Sequence, residues 1–227
     1  MSQQLTPNQI AESWNNKFCF VKETDEHPGL RSPQIGALHA LMAHVEDGED
    51  SAIVVMPTGT GKTETMLSFL IANACKKVFV IVPSDALRSQ TYCKFKTLGL
   101  LRKLNVVPQD IQLPKVSLVK TTLNDEEWKR IVDESNVIVT TMASAEKISV
   151  KIRCYLREKI SFLFVDEAHH SKAKTWNVFI NVFPPKKVVM FTATPFRNDG
   201  KKLTGSVVFN FSLKKAQEQG YYQKINN

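Results

Sequence analysis

Residues 52–72 put an apolar run, a loop with two glycines and a helical stretch in direct succession, and no other feature limits the fold as strongly. Ala52-Ile-Val-Val55 has the β-branched composition of a buried strand. Met56-Pro-Thr-Gly-Thr-Gly-Lys-Thr63 turns the chain, and Thr65-Met-Leu-Ser-Phe-Leu-Ile-Ala72 continues as a helix. A strand that feeds a helix through a tight loop is one βα unit of a layered α/β fold. The loop also has a chemistry. The loop Pro57, Thr58, Gly59, Thr60 and Gly61, through the backbone N–H groups of its non-proline residues and together with a helix N-terminus, makes a cradle for phosphates. Lys62 then reaches the β- and γ-phosphates, and the Thr63 hydroxyl serves Mg²⁺. Met56 stands where this pattern usually has Gly or Ala.

About a hundred residues later a second buried run, Phe162-Leu-Phe-Val165, ends in Asp166-Glu-Ala-His-His170. Adjacent carboxylates at the end of a buried strand lie where a metal-bound triphosphate would sit. Either motif alone could be a coincidental loop; both following strands, in this order, point to a nucleoside-triphosphate hydrolase.

The rest of the chain repeats the same rhythm. Val78–Val82, Val116–Val119, Val137–Thr140 and Val188–Thr192 are further apolar runs, most of them continuous rather than alternating, as in strands buried on both faces. Helical stretches separate them at Leu87–Leu101, Asp125–Glu134 and Ser144–Lys159. A leading helix is expected over Thr6–Asn16, with Thr6 as cap and Pro7 first, and another begins at Ser32-Pro33. Lys103–Pro114 reads as irregular. Strand alternating with helix predicts a mostly parallel, doubly wound sheet flanked by helices.

Of 227 residues, 43% are hydrophobic and 23% charged, ordinary for a globular domain. No apolar run approaches the roughly 20 residues of a membrane span, so no membrane partner is expected. Four cysteines, Cys19, Cys75, Cys93 and Cys154, lack metal-ligand spacing and suit free thiols in the cytoplasm. The net charge of +8 is uneven. Residues 1–50 hold 3 Lys/Arg against 8 Asp/Glu, leaving the remainder at +13. A basic body fits nucleic acid, although lysines also simply solvate a surface.

With these residues laid out, the chain resembles the first RecA-like lobe of superfamily 2 DEAD/DEAH-box helicases, in the restriction-enzyme-type (type III restriction subunit-like) branch. The resemblance covers nearly everything from Leu30 onward. It rests on Leu30-Arg31-Ser-Pro-Gln34, Met56–Thr63, Val82-Pro83-Ser84 with Leu87 and Gln90, Thr140-Thr141, Val165–His170 and Thr192-Ala-Thr-Pro-Phe-Arg197. The stretches His170–Trp176 and Arg197-Asn-Asp199 favour that branch over RNA-directed DEAD-box proteins. The resemblance implies an ATP-dependent, DNA-favouring helicase or translocase that uses ATP and Mg²⁺. It implies that Gln34 pairs with an adenine edge, supported by Arg31, and that Asp166 and Thr63 serve the metal. Glu167 orients or deprotonates the attacking water, and His169 links the nucleotide site to Thr192 and Thr194, whose hydroxyls couple hydrolysis to lobe movement. Pro83, Ser84, Thr140 and Thr141 contact a phosphate backbone, although each alone also reads as a turn residue ending a strand. His170 has no assigned role.

The resemblance divides the chain into a helical leader (1–29), an ATP-binding lobe (30–210) and an exit segment (211–227). Only 32 residues follow Pro195, and no Gln-x-x-Gly-Arg-x-x-Arg pattern occurs. A second RecA-like lobe, in cis or in trans, is therefore expected as a partner, and weak hydrolysis is expected without it. The alternative is a nucleotide-dependent binding module for nucleic acid or protein, with no motor activity.

Overall fold

The computed structural model describes residues 4–170, 178–196 and 200–221. The stretch after His170 to Trp176 and the Arg197-Asn-Asp199 ending lie outside the described residues. Seven strands form one sheet: β1 (Ala52–Val55), β2 (Val78–Val82), β3 (Val116–Leu118), β4 (Val137–Thr141), β5 (Phe162–Asp166), β6 (Val188–Thr192) and β7 (Ser206–Asn210). Their order is β3-β4-β2-β5-β6-β1-β7, and every neighbouring pair is parallel. The fold is a doubly wound RecA-like α/β domain.

The connecting helices are α1 (Pro7–Glu12), α2 (Ser32–Asp47), α3 (Lys62–Ala72), α4 (Asp85–Thr97), α5 (Asp125–Glu134), α6 (Met142–Ala145), α7 (Val150–Lys159) and α8 (Leu213–Glu218). Alternate strand residues feed opposite layers, as the period of two demands. Val54, Val80 and Val82 pack with α2, α3 and α4, whereas Ile53, Phe79 and Ile81 pack with α5 and α7. Phe164 anchors the first layer, with its ring centroid 5.9 Å from Phe69 and 5.8 Å from Phe191. Each such aromatic pair adds roughly 0.5–1.5 kcal/mol beyond burial.

The stretch read as one helix over Ser144–Lys159 is two. Ser149 interrupts it because its hydroxyl accepts from Ile152 N at 3.2 Å and so caps α7. The helix expected over Leu87–Leu101 starts earlier, capped by Ser84, and stops where Leu98 turns left-handed at φ 59. The leading helix is shorter than the pattern suggested, ending at Glu12, with Thr6 and Gln9 forming a reciprocal cap. Beyond it Trp14 is fully buried and its Nε1 donates to the Gln112 carbonyl at 2.8 Å, which ties the N-terminal residues into the main core.

Strand β7, which the apolar pattern does not predict, is the edge beside β1. Gly205 admits it: with φ +134 and Ser51 against it, a Cβ there would collide with the Ser51 carbonyl. Among the described residues no helix is long and apolar enough to cross a membrane.

Parallel winding brings the C-terminal ends of β1, β6, β5, β2 and β4 to one edge. In doubly wound sheets ligands bind outside that edge. The described parts of Met56–Thr63, Val82-Pro83-Ser84, Thr140-Thr141, Val165–His169 and Thr192–Thr194 lie along it, and Arg31 and Gln34 approach from the start of α2.

Candidate functional site

A cavity of about 550 Å³ opens at this edge, walled by the loop after β1, the start of α2, the end of β5 and one side of α4. The loop owes its shape to two glycines with positive φ, Gly59 at 84° and Gly61 at 97°. Thr60 is buried and its hydroxyl donates to the Pro57 carbonyl at 2.7 Å, closing the turn from inside. Gly61 is the N-cap of α3, so the first free N–H groups of that helix face the cavity. A helix N-terminus there favours an anion. Met56 is fully buried beneath the loop.

Arg31 and Gln34 brace this loop from α2. Gln34 Oε1 accepts from the Arg31 backbone N–H at 2.7 Å, and its Nε2 donates to the Gly61 carbonyl at 3.3 Å. Arg31 Nη1 donates to the Gly59 carbonyl at 3.0 Å, and its guanidinium lies 5.3 Å from the Tyr221 ring centroid. The Gln34 amide retains one N–H and one lone pair for a further partner.

Lys62 begins α3 and is only 7% exposed. Its Nζ lies 2.9 Å from Glu167 Oε1 and donates to the Met56 carbonyl at 3.3 Å. A buried cation needs such partners, because an unpaired one costs several kcal/mol. Glu167 adopts φ 51, unusual for a side chain of its size, directly after β5. Its backbone N–H donates to Asp166 Oδ1 at 3.0 Å. Burial, followed by the neighbouring Glu167 charge, pushes the Asp166 carboxyl up to about 6. An ionised Asp166 therefore gains from a cation, and its oxygens suit Mg²⁺. Glu167 Oε2 is buried with no hydrogen-bond partner among the described residues, 3.4 Å from His169 Nδ1. Such an acceptor suits a water molecule.

From Glu167 the contacts run on to β6. His169 Nδ1 is 2.9 Å from Thr192 Oγ1, which itself donates to the Thr194 carbonyl at 2.7 Å. Because the Thr192 hydrogen is committed to that carbonyl, His169 Nδ1 is the donor in the first bond. The Thr194 backbone N–H also donates to Thr192 Oγ1, and the Thr194 hydroxyl accepts from Phe196 N, both at 3.3 Å. Met56 N donates to the Thr192 carbonyl at 2.8 Å. The Met56–Thr63 loop, the Asp166–His169 segment and the Thr192–Thr194 segment thus form a closed ring of contacts.

The remaining four expected residues divide. Pro83 and Ser84 are exposed at the sheet edge, where Ser84 caps α4. Thr140 and Thr141 are buried. The Thr140 hydroxyl donates to the Val119 carbonyl at 3.3 Å, and Thr141 caps α6. Their side chains are used inside the fold. Glu64 and Lys94, which no motif singles out, also line the cavity and pair at 3.1 Å. No local spacing signals them, since they meet only when α3 and α4 pack.

The family described as type III restriction enzyme, res subunit, matches residues 27–197. UvrABC system protein B of Streptococcus gordonii is 38% identical over 82 residues, 36% of this chain and 12% of that protein. A putative ATP-dependent helicase, IRC3 of Saccharomyces cerevisiae, is 24% identical over 196 residues, 83% of this chain and 27% of its own length. The chain thus spans about a quarter or less of these curated relatives. Among solved structures, a nuclease-deletion mutant of the Type ISP restriction-modification enzyme LlaGI in complex with a DNA substrate mimic superimposes with a TM-score of 0.56. It is 22% identical, with 86% of this chain and 21% of that one covered.

Proposed function

Since the chain belongs to the family of type III restriction enzyme res subunits, we propose that residues 30–210 are the first, ATP-binding lobe of an ATP-dependent helicase or translocase acting on DNA. One observation carries this reading. Lys62 at the head of α3 and Glu167 at the end of β5 meet at 2.9 Å across a cavity that also holds Asp166. Two motifs a hundred residues apart therefore serve one site.

In that site the N–H groups of residues 58–63 cradle phosphates, and Lys62 turns from Glu167 to the β- and γ-phosphates. Gln34 offers its remaining donor and acceptor to adenine while Arg31 holds the loop. Thr63 and Asp166 would hold Mg²⁺, which when bound neutralises phosphate charge. Glu167 orients the attacking water and accepts its proton. His169 carries the change in Glu167 to Thr192 and Thr194.

The developing charge of phosphoryl transfer calls for an arginine from a second RecA-like lobe, in cis or in trans, worth roughly 10³–10⁵ in rate. Nucleic acid would run along the same sheet edge past Pro83 and Ser84, with backbone contacts after β4 in place of the Thr140 and Thr141 side chains. Such phosphate contacts position a strand without reading its sequence. The family's restriction chemistry favours DNA over RNA. The four free thiols suit the cytoplasm.

Calorimetric titration with ADP·Mg²⁺ tests the reading. The wild-type chain should bind, and Lys62→Ala should lose at least about tenfold in affinity, the equivalent of 1.4 kcal/mol. Equal affinities would refute it.

A further inference from the structure

The cations lining the cavity are already engaged by its carboxylates. Lys62 is held by Glu167 at 2.9 Å, Arg31 lies 3.8 Å from Glu23, and Lys94 is 3.1 Å from Glu64. A polyphosphate entering such a site must draw cations away from these carboxylates. Glu64 is the least expected of them. It sits in the first turn of α3, directly after Thr63, and its side chain is 9% exposed. An acidic residue there suits the helix dipole when no anion is bound, yet opposes the phosphates that the same helix end attracts.

We propose that Lys94 is a phosphate-sensing residue of the nucleotide site, held in reserve by Glu64 and drawn to the triphosphate when nucleotide binds. The inference rests on the nucleotide-site reading above and extends it to α4, which carries no part of the phosphate loop. Lys94 can make this move because its side chain is 33% exposed and its ammonium sits on a four-carbon stem. Lys62 needs only a short turn from Glu167 within the loop, whereas Lys94 must reach in from a neighbouring helix. Lys94 stands near the C-terminal end of α4, whose N-terminal turn begins with the exposed Ser84. A pull on Lys94 therefore acts on the element that opens at the proposed nucleic-acid edge.

The same pair could instead be a strap between α3 and α4, and the two roles predict different results. Titrations of ADP·Mg²⁺ and of the non-hydrolysable triphosphate AMP-PNP·Mg²⁺ are made on wild type, Lys94→Gln, Glu64→Gln and the double variant, with thermal unfolding of each. If Lys94 senses phosphate, Lys94→Gln weakens AMP-PNP by about fivefold and ADP by about twofold or less, since removing one charge from a partly solvated site costs on this scale. Glu64→Gln tightens AMP-PNP by releasing Lys94, and the double variant returns near wild type because both charges leave together. Single variants that lower the unfolding temperature while leaving both nucleotides equally affected would overturn the sensing role in favour of a strap. Wild-type binding untouched by Lys94→Gln would overturn it as well. A wild-type chain that binds neither nucleotide would overturn the nucleotide site itself, a separate failure visible before any variant is made.

Discussion

Replacing Gly61 by alanine tests how the Met56–Thr63 loop is held. Gly61 has φ 97, in the region that L side chains enter at a cost of about 1–2 kcal/mol. A Cβ at this position lands on Gln34 Nε2 and lies 2.8 Å from its Cδ, so the Gln34 side chain must leave. It would then lose its bonds to the Gly61 carbonyl and the Arg31 N–H, at 3.3 and 2.7 Å, each worth about 0.5–1.5 kcal/mol net. The expected loss is about 3 kcal/mol, a large share of a typical 5–15 kcal/mol stability. Gly200→Ala is the control: its φ is also positive, at 78°, but among the described residues nothing lies within 4 Å, so only the backbone cost applies. Urea denaturation of wild type and both variants measures the difference. A Gly61→Ala midpoint no lower than that of Gly200→Ala would refute the bracing role assigned to Gln34.

Three further outcomes are expected. In a chain joined to a second RecA-like lobe of the same family, Glu167→Gln should keep nucleotide affinity and lose phosphate release, because the amide preserves shape but is a poor base. Oligonucleotide binding, followed by fluorescence anisotropy, should be insensitive to sequence and fall steeply with salt as counterions are released. Lys77 is buried, donates to the Val132 and Ser135 carbonyls, and is pushed down to about 8 by burial, with Asp133 opposing and Lys159 adding to that shift. The unfolded chain then holds more protons than the folded one between about pH 8 and the ordinary lysine value of 10.5, so stability from this group rises with pH across that window. Urea midpoints at pH 7.5 and 9.5 should show that component in wild type and not in Lys77→Met.

Five of the seven strands were legible because parallel strands buried on both faces are written as unbroken apolar runs, and β3, half-buried at one edge, was legible from Val116-Ser-Leu-Val119. Ser206-Val-Val-Phe-Asn210 escaped notice because it is an edge strand, with Val207 48% exposed, and its place depends on β1 already being formed. The break at Ser149 was hidden because a serine inside an apolar helical pattern is read as interior until its hydroxyl is seen capping Ile152. At the site, the Met56–Thr63 loop and the Asp166–Glu167 pair were legible because each is a short contiguous segment after a strand. The contacts of Arg31 with Gly59 and of Lys94 with Glu64 were not, since neither is set by spacing along the chain. The burial of Thr140 and Thr141 depends on α6 and the Val119 carbonyl closing over the end of β4.

The most direct test is a crystal structure of the chain with AMP-PNP·Mg²⁺. The phosphates should lie on the N–H groups of residues 58–63 at the head of α3, with Lys62 Nζ moved from Glu167 to the β- and γ-phosphate oxygens. Nucleotide bound elsewhere, or bound with the 2.9 Å Lys62–Glu167 contact unbroken, would contradict the assignment of this cavity as the ATP site.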